Sequence, residues 1–216
     1  MRLYAITDRR LLPGPHESGR LSAAERDGLV TLAAEWASLG VEFVQLREKD
    51  LGVRELTELS QGMVAAMRGG GTGRPRLLIN AGAAGAAEAA RTAGAAGIHL
   101  PGRWRAEQVG MARITGTVSV GCHSLGEIAV ARASGADIAL LSPVFPTESH
   151  PEARPLGLDV LRAASETAGK IPVFALGGVN AANAPSCIET GAAGVAGIRT
   201  FLSGRWQAHG SVALRD

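Results

Sequence analysis

The sequence predicts a single-domain α/β protein in which eight parallel strands and eight helices form a closed (β/α)8 barrel over residues 1–216. Short runs rich in Val, Ile and Leu alternate with longer Ala- and Leu-rich stretches of helical character. The short runs are continuously apolar, as expected of parallel strands that are covered on both faces. Glycine recurs between a helical stretch and the next strand, where it supplies a left-handed helix cap. Together these observations predict a repeated strand–helix unit.

Each predicted element depends on an apolar run for a strand or on a longer helical stretch. In chain order, the strands are predicted at residues 3–6, 41–45, 76–80, 97–100, 118–120, 137–141, 172–175 and 194–198. The helices are predicted at residues 22–39, 53–67, 83–92, 106–113, 124–133, 157–168, 181–188 and after residue 200. Ser124 is expected to cap the fifth helix with Glu127, a capping-box pair. Eight such units in 216 residues suit a TIM barrel, and an open doubly wound sheet is the alternative.

Composition narrows the possible classes of protein. The formal net charge is +2 and aromatic residues make up 4% of the chain, which argues against a nucleic-acid partner. No apolar run approaches the roughly 18 residues that span a bilayer, and Asp8 comes too early for a signal peptide. We therefore expect a cytoplasmic protein with no membrane partner. Cys122 and Cys187 lack CxxC spacing and are expected to be buried free thiols.

The end of the second strand carries the first candidate ligand-binding residues. In a barrel of this kind, residues at the carboxyl ends of the strands line the functional face. Gln45, Arg47 and Lys49 occupy alternate positions and should point the same way. Two cations and an amide suit phosphate oxygens. The alternative is a solvated ion-pair cluster with Glu48 and Asp50. Asn80, at the end of the third strand, is a further candidate for substrate binding.

The last two strands predict a phosphate site. Gly177 and Gly178 follow the seventh strand, and Arg199 and Thr200 follow the eighth. Loops at these two positions recurrently bind phosphate in (β/α)8 barrels, because glycine permits close approach of the backbone. We therefore favour phosphate binding over an ordinary turn.

The loop after the sixth strand contains Thr147, Ser149 and His150, whose side chains could bind an anion. The alternative is an ordinary loop that its prolines stiffen. His123 follows the fifth strand, and a histidine there can serve as a general acid or base. By spacing alone, however, a structural histidine is favoured at that position, and His99 presents the same choice. No carboxylate cluster stands at the central strand ends, so we expect no tightly bound metal.

In this order, the motifs resemble those of the thiamine phosphate synthase/TenI family of (β/α)8 barrels. The similar segments are YAITD at 4–8, VQLREKD at 44–50, LIN at 78–80, GIHL at 97–100, PVFPT at 143–147, PVFALGGV at 172–179 and GAAGVA at 191–196. The resemblance extends over nearly the whole chain, to about residue 202. The QLREKD and PVFPT segments are rather specific.

The resemblance implies one of two activities. Synthases of this family join a pyrimidine diphosphate to a thiazole phosphate, with Mg²⁺ bound to the diphosphate. The aspartates that hold the metal in those synthases correspond to Ala81 and Trp104. Their diphosphate loop usually has Lys where His150 stands, and Ser where Arg199 stands. The resemblance to the synthases is thus weakest at the metal and diphosphate positions.

The TenI branch is the more similar one, and it implies a metal-free thiazole tautomerase that aromatises a carboxythiazole phosphate by proton transfer. Members of this branch also lack the Asp after the third-strand Asn. They share the Leu100-Pro101 pair and the segment that begins at His123, whose histidine is the proposed acid/base of the branch. With this resemblance, a catalytic His123 becomes the favoured interpretation. Arg47 or Lys49 would bind the substrate carboxylate, and the loop glycines would bind the phosphate.

Two alternatives to the tautomerase stay open. One is a divergent synthase that recruits Mg²⁺ only through the substrate diphosphate, and the other is a non-catalytic binder or regulator of a phosphorylated ligand. The expected partner is a small phosphorylated thiazole, and no cofactor is expected, except Mg²⁺ if the synthase alternative holds. The oligomeric state is left open, and a homo-oligomer is possible.

Overall fold

A computed structural model describes residues 1–69, 75–149 and 151–202 of the chain. Eight parallel strands close into a barrel in sequence order, with β1 hydrogen-bonded to β8, so the predicted fold class is confirmed and the open sheet is excluded. The strands are β1 (Arg2–Ile6), β2 (Phe43–Leu46), β3 (Arg76–Asn80), β4 (Gly97–Leu100), β5 (Thr117–Cys122), β6 (Ile138–Leu141), β7 (Val173–Ala175) and β8 (Gly194–Gly197).

The helices surround the barrel, and most begin or end within two residues of their predicted limits. They are α1 (Ala23–Ser38), α2 (Val53–Arg68), α3 (Ala86–Ala93), α4 (Ala106–Ala112), α5 (Leu125–Ala133), α6 (Gly157–Ala168), α7 (Ala184–Glu189) and α8 (Arg199–Leu202). Two helices, α3 and α7, begin three residues later than predicted. In α3 the cause is Gly85, which takes a left-handed conformation at the residue before the helix.

Ser124 caps α5 as predicted, because its hydroxyl accepts a hydrogen bond from the Glu127 N–H. The reciprocal hydrogen bond of the predicted capping box, from the Ser124 N–H to the Glu127 carboxylate, is wrong. The Glu127 carboxylate accepts from the N–H of His123, the residue before the cap, rather than from the N–H of Ser124. The start of α5 therefore also holds the backbone of His123.

Two apolar layers hold the barrel together. The larger one fills the space between strands and helices, and it includes both free cysteines, Cys122 and Cys187, which are buried as expected. The smaller one lies inside the barrel, where Tyr4, Phe43 and Phe174 pack with ring centroids 5.5–5.8 Å apart. These rings fill part of the barrel interior. Among residues 1–69, 75–149 and 151–202, no helix has the length and apolar character to cross a membrane.

Candidate active site

The carboxyl ends of the strands surround one cavity of about 1440 Å³. All the residues that sequence analysis selected for substrate, phosphate or proton chemistry in the described part of the chain line this cavity. They are Gln45, Arg47, Lys49, Asn80, His123, Thr147, Ser149, Gly177, Gly178, Arg199 and Thr200. His150 lies outside the described residues. Asp8, Arg10 and Arg103 also line the cavity, although sequence analysis assigned them no role.

The cations that follow β2, Arg47 and Lys49, line the cavity. The alternative, an ion-pair cluster of these two residues with Glu48 and Asp50, is wrong, because Glu48 and Asp50 pair with Arg9. Arg47 pairs with Asp8 at 3.6 Å. Lys49 has no ion-pair partner among the described residues, and burial together with the charges of Arg47 and Arg10 lowers its pKa. Burial opposes ionisation of Asp8, but Arg10 and Arg47 hold its pKa below the usual value. This side of the cavity therefore carries an excess of positive charge for an anionic substrate.

A buried ionic network beneath the cavity joins the loops that follow β1 and β2. Arg9, only 1% exposed, contacts Glu48 at 3.1 Å and Asp50 at 2.7 Å. The Thr7 hydroxyl donates to Glu48 at 2.6 Å and accepts from the Arg47 N–H at 2.9 Å. Burial raises the pKa of Glu48 against the lowering effect of Thr7 and Arg9. The network fixes the backbone from which Arg47 and Lys49 project.

On the opposite side, Gly177 and Gly178 adopt φ angles of +90° and +65°. A Cβ on Gly177 would lie 2.7 Å from Pro143, and one on Gly178 would overlap the Pro146 carbonyl. The Phe145 N–H donates to the Gly177 carbonyl at 3.0 Å. The two glycines thus allow the loop after β7 to lie directly against the loop after β6.

The start of α8, directly after β8, is tied to its neighbours through the two predicted residues Arg199 and Thr200. The Thr200 hydroxyl donates to the Val179 carbonyl at 2.8 Å, so it is already used within the protein. The exposed Arg199 side chain lies 3.5 Å from Glu148 in the loop after β6. Any phosphate contact near Thr200 is therefore expected to come from backbone N–H groups.

The His123 side chain lines the cavity and is held by a backbone carbonyl. Its Nδ1 lies 2.8 Å from the Ser142 carbonyl oxygen, which can only accept, so Nδ1 carries the proton in the neutral ring. Its Nε2 is left as an acceptor beside Gly102, where an added Cβ would come within 2.6 Å of it. A backbone carbonyl thus orients the ring, and the basic nitrogen faces the cavity.

His99 is not suited to acid–base chemistry near neutral pH. It is 6% exposed, and burial together with the charges of Lys49 and Arg47 lowers its pKa to about 3. Its Nδ1 lies 3.0 Å from the Ser119 hydroxyl. The ring is therefore a neutral hydrogen-bonding group on the floor of the cavity.

The residues around the cavity do not fit a protein-held Mg²⁺ ion. Within residues 1–69, 75–149 and 151–202, no group of three or more His, Cys, Asp and Glu side chains could hold a metal. Three carboxylates line the cavity among the described residues: Asp8 is engaged by Arg10 and Arg47, Glu148 is engaged by Arg199, and Glu152 stands without a second carboxylate to form a metal site with it. Trp104, at one of the metal-ligand positions of the similar synthases, donates its indole N–H to the Gly121 carbonyl.

The chain is similar to thiamine-phosphate synthases over most of its length. A family model described as thiamine monophosphate synthase matches residues 3–201. A "Putative thiamine-phosphate synthase" of Geobacter sulfurreducens is 40% identical over 93% of this chain and 86% of its own length. A "Putative thiamine-phosphate synthase 2" of Aquifex aeolicus is 38% identical over 93% of this chain and 97% of its own length.

Among solved structures, a thiamine phosphate pyrophosphorylase from Pyrococcus furiosus superposes with a TM-score of 0.74 at 27% identity, covering 95% of this chain and 92% of that one. The Geobacter and Aquifex relatives are named as putative thiamine-phosphate synthases, and the Pyrococcus furiosus protein is named as a thiamine phosphate pyrophosphorylase. The names therefore favour the synthase alternative over the tautomerase that sequence analysis placed first.

Proposed function

The chain belongs to the thiamine monophosphate synthase family, and on this premise we propose that it joins a pyrimidine diphosphate to a thiazole phosphate. The cavity is the observation that carries the proposal. Its volume of about 1440 Å³ exceeds the roughly 300–1,000 Å³ of a pocket for one small ligand. A cavity of this size has room for two substrates at once.

Two separated groups of residues suit the two phosphorylated substrates. Arg47 and Lys49 follow β2, whereas Gly177 and Gly178 follow β7, and β1 and β8 lie between these strands in the closed barrel. We assign the diphosphate to the cations, because it carries more negative charge than the monophosphate. We assign the thiazole phosphate to the glycine loop, where the backbone is accessible.

Coupling breaks the bond between the pyrimidine and its diphosphate and forms a bond between the pyrimidine and the thiazole. Arg47 can bind diphosphate oxygens in two places at once, while Lys49 acts as a point charge. Both compensate the charge that the leaving diphosphate develops. Because the described carboxylates do not fit a metal site, Mg²⁺ would enter as part of the substrate complex, and this chain's residues hold the diphosphate itself.

Replacing Arg47 with glutamine is expected to raise the KM for the pyrimidine diphosphate about 10- to 150-fold, since a hydrogen bond to a charged group contributes about 1.5–3 kcal/mol. The KM for the thiazole phosphate should stay nearly unchanged, because its site is on the other side of the cavity. Steady-state kinetics with each substrate varied in turn measures both constants. Arg105→Gln is the matched control, since Arg105 is exposed and does not line the cavity. Equal increases in both KM values would contradict the assignment.

A second candidate, the thiazole tautomerase, is favoured by one specific observation. The Nε2 atom of His123 faces the cavity as a proton acceptor while Nδ1–H is held by the Ser142 carbonyl. Such a ring can take a proton from one position of a bound thiazole and return it at another. This chemistry needs one phosphorylated substrate and no metal.

Replacing His123 with asparagine separates the two candidates, because an amide cannot accept the proton. If the chain is a tautomerase, the variant is expected to lose about 10²–10⁴-fold in the exchange of thiazole ring protons with solvent. If it is a synthase, the rate of coupling should change little. Deuterium exchange followed by NMR, together with a coupling assay on the same preparation, measures both. Undiminished exchange in the variant would remove the tautomerase from consideration.

A further inference from the structure

A chain of hydrogen-bonded, buried polar side chains crosses the barrel interior at the floor of the cavity. It runs from Asn80 to Gln45 at 3.0 Å, from Gln45 to Tyr4 at 3.1 Å, from Tyr4 to Ser119 at 3.4 Å and from Ser119 to His99 at 3.0 Å. All five side chains are buried, and they come from β1, β2, β3, β4 and β5. The register between β4 and β5 brings Ser119 and His99 together, because the two residues lie opposite each other.

The direction of this chain is fixed at the Asn80 end by the backbone. The Gly82 N–H can only donate, and it donates to Asn80 Oδ1 at 2.9 Å. The Asn80 amide must therefore present its NH₂ group to Gln45, whose Oε1 accepts. Gln45 in turn presents its own NH₂ group to the Tyr4 oxygen.

The same logic carries the direction to His99. With its oxygen accepting from Gln45, the Tyr4 hydroxyl donates to Ser119, and burial raises the pKa of Tyr4 to about 12, so it keeps its proton. The Ser119 hydroxyl has no other acceptor among the described residues, so its single proton goes to His99 Nδ1. A neutral imidazole with Nδ1 accepting carries its proton on Nε2.

The Nε2 atom of His99 is open to the cavity. His99 lines the cavity, and Nε2 has no hydrogen-bond partner among the described residues. Among the described residues, the fully buried side-chain nitrogens and oxygens without a partner are both on arginines, so the unpartnered Nε2 of His99 has accessible surface. A ligand can therefore reach this N–H.

We infer that the Asn80–Gln45–Tyr4–Ser119 chain fixes His99 as a neutral Nε2–H donor, which binds an uncharged acceptor atom in the heteroaromatic ring of a substrate. The identity of that substrate rests on the proposed function, whereas the state of the ring does not. Asn80, Gln45, Tyr4 and Ser119 act as positioning residues. A neutral donor at this point complements the cations and glycines around it. The donor binds a ring nitrogen or carbonyl, whereas the cations and the glycine loop bind the phosphates.

The state of the ring is tested by ¹⁵N NMR of the histidine side chains in the full chain without ligand. We expect a protonated Nε2 and an unprotonated Nδ1 at His99 near neutral pH. Ser119→Ala should release the ring to a mixture of tautomers. Ser165→Ala should leave it unchanged, because the hydroxyl of this helical serine donates to the Leu161 carbonyl, away from His99 in sequence and in hydrogen bonding. A protonated Nδ1 in the unaltered protein would overturn the inference.

A second variant tests the direction of the hydrogen bonds that run from Asn80 to His99. In Asn80→Asp the new carboxylate cannot donate to Gln45, so the Gln45 amide is expected to turn over and every later bond to reverse. His99 should then carry its proton on Nδ1. If the tautomer of His99 is unchanged in both Asn80→Asp and Ser119→Ala, the hydrogen-bond chain does not set that tautomer. These readouts need no turnover, so they remain valid if coupling is not observed.

The binding part is tested by titrating the protein with thiazole phosphate, with the pyrimidine precursor and with inorganic phosphate. We expect the His99 Nε2 resonance to shift with one of the two heteroaromatic compounds and not with phosphate. A shift with inorganic phosphate, or no shift with either ring compound, would overturn the assignment of Nε2–H as a ring-binding donor.

Discussion

Replacing Arg9 with methionine is expected to lower the free energy of unfolding by about 3–5 kcal/mol, the range for removal of one partner from a buried ion pair. Arg9 lies 3.3 Å from Glu25, 3.1 Å from Glu48 and 2.7 Å from Asp50. Without it, the nearly buried carboxylates of Glu25 and Glu48 lose their compensating charge. Urea unfolding followed by circular dichroism measures the difference.

The matched control for Arg9 is Arg54→Gln, because Arg54 is 88% exposed and pairs with Glu58 one helical turn away. Surface pairs of this kind contribute about 0.5 kcal/mol or less, so the control should unfold nearly as the unaltered protein does. The double variant Arg9→Met, Glu48→Gln should regain part of the stability, because it removes one uncompensated charge. An Arg9→Met protein as stable as the control would contradict the interpretation of this network.

Replacing Gly178 with alanine is expected to cost about 2–5 kcal/mol of stability. About 1–2 kcal/mol comes from placing an L-residue in the left-handed region, and about 1–3 kcal/mol comes from overpacking. The added Cβ would come within 2.8 Å of Phe145 and would overlap the Pro146 carbonyl. Because the loop after β7 must move away, the KM for the thiazole phosphate should rise at least about tenfold, the loss of one 1.4 kcal/mol interaction.

Gly157→Ala separates the two sources of that loss. Gly157 also has a positive φ, +81°, but a Cβ there would meet nothing within 4 Å. This control should therefore lose only the conformational part of the stability, and its substrate constants should be unchanged. If Gly178→Ala and Gly157→Ala lose equal stability and keep the same KM, the close packing at Gly178 does not serve the phosphate site.

Much of the fold and most of the cavity lining could be predicted, because the signals are local. Continuous apolar runs predicted all eight strands, and the convergence of strand ends predicted that Arg47, Asn80, His123 and Gly177 would line one cavity. The start of α3 was missed because the left-handed turn at Gly85 precedes the helix without any break in the alanine-rich pattern.

The ionic and polar networks could not be predicted from local patterns. Arg9 was passed over because a lone charged residue in a loop gives no sign of burial, and two of its partners, Glu48 and Asp50, stand about 40 positions further along the chain. Tyr4 and Ser119 stand within apolar strands, and their contact across the barrel joins residues 115 positions apart. Such contacts depend on strand register and barrel closure, which periodicity does not give.

Coupling is tested most directly by incubating the full chain with thiazole phosphate, the pyrimidine diphosphate and Mg²⁺, and by measuring thiamine phosphate and released diphosphate together. We expect the two products in equal amounts, with a slower rate for Arg47→Gln at limiting pyrimidine diphosphate and an unchanged rate for Arg105→Gln. The absence of coupled product, with exchange of thiazole ring protons that requires His123, would contradict the synthase and establish the tautomerase. Tight binding of thiazole phosphate with neither reaction would contradict both and favour a non-catalytic binder.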